Sequence, residues 1–318
     1  MTIARIATNK SRLLPALFVL LSGCASIPDD VRSLPVDASI ELESTPFYPQ
    51  ERYECGPAAL TTTLVASGVD VDLDDMVDAV FLPEREGSLQ IEIVAAARQH
   101  DRLPYVIDGT LGAIQGELEA GRPVLVLQNL GIAAIPRWHY SVVVGIDMEA
   151  GDIVLRSGTE RRRTTPIMTF LRTWRRGDYW GIVLLRPDEL PAAVDRQRYL
   201  STITAVDETG RHETAAQAWR TAVRRWPTDT VALFGLANAE YALRNREAAV
   251  AGYRALLDVD SGHVAARNNL AWVLAEQGRI EEARKEIAQA LQLNDDAELD
   301  DELRDTELRI QQMAEETR

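Results

Sequence analysis

Residues 50–60 read QERYECGPAAL and contain Cys55, one of only two cysteines in the chain. Pro57 fits the first turn of a helix that continues through ALTTTLVAS to Gly68. A thiol at a helix start lies near the positive end of the helix dipole and near free amide groups, and both favour the nucleophilic thiolate. Gln50 has a side-chain amide that fits an oxyanion hole together with the backbone amide of Cys55. The stretch therefore predicts a nucleophilic cysteine at the start of a helix.

A nucleophilic cysteine needs a base, and the chain offers four histidines: His100, His139, His212 and His263. His139 opens the β-branched run HYSVVVG, which is typical of a buried strand. Apolar runs at 123–128, 152–156 and 179–185 predict three further strands. A helix followed by antiparallel strands, one of which carries the histidine, is similar to the α+β fold of papain-like cysteine hydrolases. His139 is therefore the predicted general base.

Four pieces of the sequence occur in the order of one peptidase family. They are Gln50, ECGPAA at 54–59, GRPV at 121–124, and His139-Tyr140 followed by VVVG at 142–145. Through these pieces, residues 45–186 resemble the bacteriocin-processing, double-glycine leader peptidases and their stand-alone relatives among papain-like cysteine peptidases. The resemblance implies Gln50 in the oxyanion hole, Cys55 as nucleophile, and His139 as general base and acid. It also implies peptide substrates with small residues, such as Gly-Gly, before the cleaved bond.

The third catalytic position departs from that family, which usually has Asp or Asn followed by Pro after the next strand. The equivalent stretch here, 154–159, reads VLRSGT, and Ser157 is closest to the expected position. A serine hydroxyl can orient an imidazole but does not stabilise imidazolium as a carboxylate does. Asp152 and Asp147 lie earlier in the same hairpin and are the less favoured alternatives. The site predicted from sequence is therefore Gln50, Cys55, His139 and Ser157.

The first 24 residues are typical of a bacterial export signal. Three basic residues precede an apolar run over 13–21, which is too short to span a bilayer. The run ends in LSGC, which resembles a lipobox, so residues 1–23 are the predicted signal peptide and Cys24 the lipidated residue of a membrane-anchored lipoprotein. An ordinary signal peptide followed by a chance cysteine is the alternative. Ala25 after the cysteine favours the outer membrane, facing the periplasm, and residues 24–40 are a predicted tether.

The C-terminal third repeats with a period of 34 residues. Three sets of positions carry this period: Ala215, Ala249 and Ala283; Trp219, Tyr253 and Ile287; Val223, Leu257 and Leu291. Small residues where two helices cross, with a large residue opposite, resemble tetratricopeptide repeats. The predicted organisation is a papain-like peptidase domain over 41–190, three repeats over 196–297 and a capping helix over 298–318. Such an all-α solenoid forms a groove for a protein partner or an extended peptide.

Charge excludes some classes of partner. Acidic residues number 49 against 34 basic ones, a formal charge of −15, which disfavours nucleic-acid binding. No P-loop motif occurs, and no cofactor or metal site is predicted. A basic stretch stands out against this acidity: Arg161, Arg162, Arg163, Arg172, Arg175 and Arg176. It is interpreted as a solvated surface or as a docking patch for an acidic partner, lipid headgroups or the other domain.

Three functions compete for this architecture. The first is a membrane-anchored thiol protease that hydrolyses peptide bonds and holds a partner or substrate in its repeats. The second is a catalytically degenerate scaffold lipoprotein that acts through the repeats, as the missing Asp or Asn would suggest. The third is a transamidase that uses the same Cys/His site to transfer an acyl group to an amine instead of water.

Overall fold

The computed structural model describes residues 39–49, 54–132 and 134–316. Within them, seven strands form one sheet in the order β2-β7-β3-β4-β5-β6, and the paired neighbours are antiparallel. The short β1 pairs with β4 at 145–147, beyond the part of β4 that β3 covers. The strands are β1 Ser39–Glu41, β2 Leu103–Val106, β3 Val124–Asn129, β4 Trp138–Asp147, β5 Asp152–Ser157, β6 Glu160–Pro166 and β7 Gly181–Leu185.

Five helices cover the sheet: α1 Cys55–Ala66, α2 Leu73–Val80, α3 Gln90–Gln99, α4 Leu111–Glu119 and α5 Ile167–Arg175. Because side chains alternate along a strand, Tyr140 and Val142 of β4 pack with α1, α2 and α3, whereas Val143 packs with α4 and α5 on the opposite face. Helix α1 is buried along most of its length and still contains three threonines. Each of their hydroxyls donates to a carbonyl one turn earlier in the helix, as Thr61 does to Pro57 at 2.8 Å, so the polar groups are satisfied.

Seven helices follow: α6 Arg196–Asp207, α7 His212–Arg225, α8 Thr230–Ala242, α9 Arg246–Val259, α10 Val264–Glu276, α11 Ile280–Leu293 and α12 Ala297–Glu316. Close crossing of α7 and α8 depends on Gly235, because a Cβ there would lie 2.4 Å from the Trp219 ring. The turns that end α6 and α10 place Gly210 and Gly278 at positive φ. Arg244 has the same conformation at the middle repeat, with φ 63°, so the 34-residue period persists in the backbone where the glycine is missing.

One apolar cluster connects the sheet to the repeats. It runs from the α4 and α5 face of the sheet into α6, α7 and α8, and the rings of Tyr105 in β2 and Tyr199 in α6 are 6.5 Å apart within it. A second cluster joins the later repeat helices. None of the helices described in 54–132 and 134–316 is long and apolar enough to cross a membrane. The predicted fold class, an α+β domain followed by a helical repeat region, is confirmed.

Candidate active site

Cys55 is the first residue of α1, where backbone amides have no partner within the helix. Burial raises the pKa of the Cys55 thiol, and hydrogen bonds from the backbone amides of Tyr140, Gly56 and Cys55 itself partly offset that rise. Tyr140 follows His139 in β4, so the thiol lies next to the strand position of the histidine. Amide groups gathered at one sulfur are suited to stabilise negative charge there.

His139 lies near the start of β4, opposite Gln128 of β3. Its Nε2 atom is 2.7 Å from the Ser157 hydroxyl, so the predicted contact between these two residues is present. Asp152 pairs with Asp147 at the far end of the β4–β5 hairpin, eight residues along β4 from the histidine. At about 3.3 Å per residue this separation rules out a direct contact with the imidazole.

A line of hydrogen-bonded side chains continues behind Ser157. The hydroxyl oxygens of Ser157 and Ser141 are 3.4 Å apart, and Ser141 donates to Gln128 Oε1 at 2.9 Å. Gln128 Nε2 donates to Thr173 Oγ1 at 2.7 Å, and Thr173 in turn donates to a carbonyl of α5. Ser141 has one proton to donate, and it lies within reach of both Gln128 Oε1 and Ser157 Oγ. When that proton points to Gln128, Ser157 can direct its own proton to Ser141 and accept a hydrogen bond from His139; in that arrangement Nε2 carries the imidazole proton and Nδ1 is the basic nitrogen.

Both members of the predicted pair are neutral near pH 7. Burial, together with the nearby guanidinium groups of Arg163 and Arg137, lowers the pKa of His139 to about 4. The pKa of Cys55 is raised instead, so the thiol keeps its proton. In the described residues no hydrogen bond joins the thiol to the imidazole. The site therefore starts as thiol and imidazole and not as a thiolate–imidazolium ion pair.

A cleft of about 430 Å³ opens beside Tyr140. The Tyr140 ring packs edge-on against Trp180, with centroids 6.0 Å apart, and its hydroxyl donates to the Ser88 carbonyl. Because the Tyr140 backbone amide contacts the Cys55 sulfur, the cleft adjoins the nucleophile. Its wall combines the apolar side chains of Leu89, Leu127, Trp138, Tyr140 and Trp180 with the polar ones of Arg85, Ser88, Gln90 and Asp178.

Gly56 is required where α1 meets the cleft. A Cβ at this position would lie 2.3 Å from Ser88 Oγ and 2.6 Å from Ser88 Cβ. The Ser88 hydroxyl itself is buried and has no hydrogen-bond partner. The glycine of the Cys-Gly-Pro motif thus allows the segment before α3 to approach the start of α1.

Two predicted residues, Gln50 and Cys24, lie outside the described residues, and their roles stay predictions. Sequence reasoning missed Gln128 and Ser141. The available signal was weak: a polar Gln at the end of the apolar run VLVLQN, and a Ser two positions after the histidine on the same strand face. Among the residues described, no group of three His, Cys, Asp or Glu side chains is arranged to hold a metal ion.

A second cavity, of about 390 Å³, lies among α8, α10 and α12 in the repeats. Asn268 lines it with only 6% of its surface exposed, and its Oδ1 atom has no hydrogen-bond partner. Its amide nitrogen donates to Glu302 of α12 at 3.1 Å. Trp272 and Asp305 line the same cavity. The cavity therefore offers a buried acceptor beside carboxylates.

Several solved structures resemble part of this chain. Among solved structures, a C39-like peptidase candidate from Bacillus anthracis is 14% identical, with a TM-score of 0.40, and the match covers 47% of this chain and 98% of that protein. The Yersinia enterocolitica type III secretion chaperone SycD, in complex with a peptide of the translocator YopD, is 18% identical, with a TM-score of 0.35, over 36% of this chain and 91% of SycD. The first TPR domain of human RPAP3 is 16% identical, with a TM-score of 0.34, over 38% of this chain and 95% of that domain.

No curated protein matches the sequence significantly. Two family models do match it. The Peptidase_C39 like family matches residues 42–179. The tetratricopeptide repeat family matches residues 203–251 and 234–298. The chain therefore carries a Peptidase_C39-like domain over residues 42–179, followed by tetratricopeptide repeats within residues 203–298.

Proposed function

We propose that this protein is a membrane-anchored cysteine peptidase whose repeats hold a protein partner or substrate. The position of Cys55 carries the proposal. It is the first residue of α1, its sulfur accepts hydrogen bonds from backbone amides, and one of those amides belongs to the residue after His139. This is the arrangement that a nucleophile needs when it attacks a carbonyl group and develops negative charge.

The proposed reaction begins with a neutral pair. His139 Nδ1 removes the Cys55 proton as the sulfur forms a bond to the carbonyl carbon, and the oxyanion is held by the Cys55 backbone amide and Gln50. The imidazolium then gives that proton to the leaving amine as the peptide bond breaks, which leaves a thioester. Water, deprotonated by His139, hydrolyses the thioester and restores the thiol. Ser157 accepts a hydrogen bond from the Nε2–H group throughout the reaction and keeps the ring oriented.

Two variants test the nucleophile and the base. Cys55→Ala and His139→Ala each abolish peptide hydrolysis while leaving the circular dichroism spectrum unchanged. His100→Ala is the matched control, because His100 lies at the end of α3, away from the proposed site, and it retains full activity. Gln50→Ala costs roughly 10²–10³ in rate, the usual effect of removing one oxyanion donor. Wild-type activity in Cys55→Ala would end the peptidase proposal.

One observation favours a scaffold as the second candidate. No carboxylate raises the His139 pKa, and two arginines lower it, so imidazolium is disfavoured at this site. The rate of Cys55 alkylation by iodoacetamide separates the two candidates. In a peptidase, His139→Ala slows alkylation at pH 7, because the imidazole assists loss of the thiol proton. In a scaffold, the two rates are equal. Supplying an amine acceptor in the same peptide assay separates transamidation from hydrolysis.

The proposed partner site is the cavity around Asn268. An unpaired buried acceptor costs free energy, so a ligand that brings an N–H group to Asn268 Oδ1 gains more than one that does not. Asp305 is ion-paired with Arg309 of the same cavity, so the carboxylate of Glu302 gives the cavity its net negative charge and favours a basic segment over an acidic one. A library of extended peptides tested against the wild type and Asn268→Ala therefore enriches basic sequences with the wild type alone. Equal enrichment by both proteins would place the partner elsewhere.

The proposed anchor is Cys24, with the protein held at the outer membrane and facing the periplasm. The motif LSGC and the following Ala25 support it. More than one acyl chain on one residue is sufficient for stable anchoring, since each buried methylene adds about 0.8 kcal/mol. Residues 25–38 then separate the anchor from β1.

A further inference from the structure

The connection between β3 and β4 exposes an unusual set of apolar side chains. Ile132 is 60% exposed, Ile135 69% and Trp138 55%, and Leu130 beside them is also exposed. Single exposed apolar residues are common on protein surfaces, whereas three within one short connection and a fourth at the first residue of the next strand are not. This connection continues the hairpin beyond the last residues that pair in the sheet.

The hairpin backbone holds these side chains outward. Asn129 Oδ1 accepts hydrogen bonds from the backbone amides of Gly131 and Arg137, both at 2.9 Å. Ile132 and Ile135 form a bridge with two backbone hydrogen bonds between them. A Cβ at Gly131 would lie 2.2 Å from the Ile135 carbonyl oxygen, so the turn is closely packed. The exposure of both isoleucines is therefore built into the turn.

Arginines surround the base of the hairpin. Arg176, just after α5, donates a hydrogen bond to the Gly131 carbonyl, which places the end of α5 against the turn. Arg172 and Arg175 are exposed on the same helix. In the described part of the chain no carboxylate pairs with Arg137, Arg172, Arg175 or Arg176. By contrast, Arg162 on β6 pairs with Glu41.

We propose that this hairpin surface, formed by Leu130, Ile132, Ile135, Trp138, Arg137, Arg172, Arg175 and Arg176, binds an anionic phospholipid bilayer. The aliphatic residues occupy the outermost part of the turn and fit the boundary between headgroups and acyl chains. An indole fits the interface, and guanidinium groups at the base fit lipid phosphates. The formal charge of −15 repels an anionic surface from most of the protein, so a cluster of arginines without a carboxylate partner among the described residues is where such a surface can approach.

A bilayer fits this surface better than a polypeptide does, because the apolar residues lie on a projecting turn with cations behind them. Trp138 belongs both to the hairpin surface and to the wall of the cleft. Binding through the hairpin therefore places the cleft mouth near the membrane. The proposal depends neither on the chemistry of Cys55 nor on acylation of Cys24, so it fails or holds separately from the proposed function.

The test is vesicle flotation with residues 25–318, which include every residue that the structure describes and exclude both the signal segment and Cys24. Vesicles contain phosphatidylcholine alone or with 30% phosphatidylglycerol. We expect binding to the anionic vesicles that weakens with salt, and on the order of tenfold weaker binding for Ile132→Ser/Ile135→Ser and for Arg172→Gln/Arg175→Gln.

The matched controls are Leu308→Ser, an exposed apolar residue on α12, and Arg254→Gln on α9, and both bind like the wild type. Unchanged melting temperatures establish that the variants are folded. Binding that is absent, equal on neutral vesicles, or unaffected by the hairpin substitutions overturns the proposal. If the isoleucine variant floats normally but binds or cleaves peptides less well, the surface serves a polypeptide and the lipid proposal is wrong.

Discussion

Ser141 donates a hydrogen bond to Oε1 of Gln128 across the β3–β4 pair, at 2.9 Å. This bond links Gln128 to the line of hydroxyls that ends at His139. While Ser141 donates to Gln128, Ser157 has a proton acceptor in Ser141 and can itself accept a hydrogen bond from the imidazole Nε2–H group. A residue on a neighbouring strand is thereby connected to the tautomer of the histidine.

Gln128→Leu tests this role. Without its acceptor, Ser141 turns its proton toward Ser157, which then donates to Nε2 and favours the unproductive Nδ1–H tautomer. We expect kcat to fall roughly tenfold with little change in KM, since general-base catalysis contributes about 10²–10⁴ in total. Thr173→Val is the matched control: it removes the acceptor of the Gln128 amide nitrogen and the bond from Thr173 to a carbonyl of α5, but it leaves the Ser141–Gln128 bond in place. That variant loses stability but keeps kcat; an equal loss of kcat in both would mean that Gln128 acts through packing alone.

Ser157→Asp supplies the carboxylate that the site lacks. Wild-type kcat/KM falls on the acid side only near pH 4, because the imidazole must be neutral to act as a base and its pKa is about 4. An adjacent carboxylate raises that pKa by about 1–3 units, so the acid limb of the variant moves toward pH 5–7. In Ser157→Ala the acid limb of the kcat/KM profile stays near pH 4, while kcat falls. A pH profile of Ser157→Asp identical to that of the wild type would contradict the assigned contact.

The same pKa makes folding sensitive to acid. In the unfolded chain His139 titrates near pH 6.5, whereas in the folded protein its pKa is about 4. Between these values the unfolded state binds more protons, so stability falls as the pH drops through this window, by up to about 3 kcal/mol. His139→Gln lacks this contribution. Urea unfolding at pH 4.5 and pH 7 should show a smaller pH effect in the variant, and equal pH effects would show that the imidazole is not buried as described.

Gly56→Ala places a methyl group where Ser88 already lies. We expect a loss of about 1–3 kcal/mol in the free energy of unfolding, as for other overpacked sites. Adding Ser88→Gly removes both atoms that clash and should restore most of the loss. Gly121→Ala cannot serve as a packing control: Gly121 has a φ of +78°, so a side chain there adds backbone strain whatever the space around it. A double variant no more stable than Gly56→Ala would argue against the close approach of the two segments.

Cys24→Ala tests the anchor. Labelling of the protein with radioactive palmitate in cells disappears in this variant if Cys24 is the acylated residue. Cys55→Ala is the matched control because it removes the other cysteine, and it keeps the label. Label that persists in Cys24→Ala would assign the acyl group to another residue.

Four strands and the helix that begins at Cys55 were predicted from the sequence because each is a long apolar or β-branched run. Three strands were missed for physical reasons. β6 has the sequence ERRRTTP and is an exposed edge strand, so the sequence alone indicates only a charged surface at its arginines. β2 contains Pro104, and β1 has three residues, too few for any periodic signal.

The part of the candidate site that could be predicted from the sequence consists of residues that belong to recognisable motifs. Cys55 and His139 stand out by their surroundings, and Ser157 follows from its position at the end of the strand next to the histidine. Gln128 could not be found in this way, because only the register that sets it opposite His139 reveals its role. The wall formed by Trp138 and Trp180 brings together residues 42 positions apart and likewise depends on the sheet.

Because Tyr105 of the sheet and Tyr199 of the first repeat helix share one apolar cluster, the repeats pack directly against the sheet that carries the cleft. A polypeptide held by one segment in the groove reaches Cys55 only along the chain between its two binding segments, at no more than about 3.5 Å per residue. Such an enzyme would select its substrates by the length of the spacer between these two segments. The number of residues between the recognition segment and the cleaved bond would then determine which bond is cut, and shortening that spacer would abolish cleavage instead of gradually weakening it.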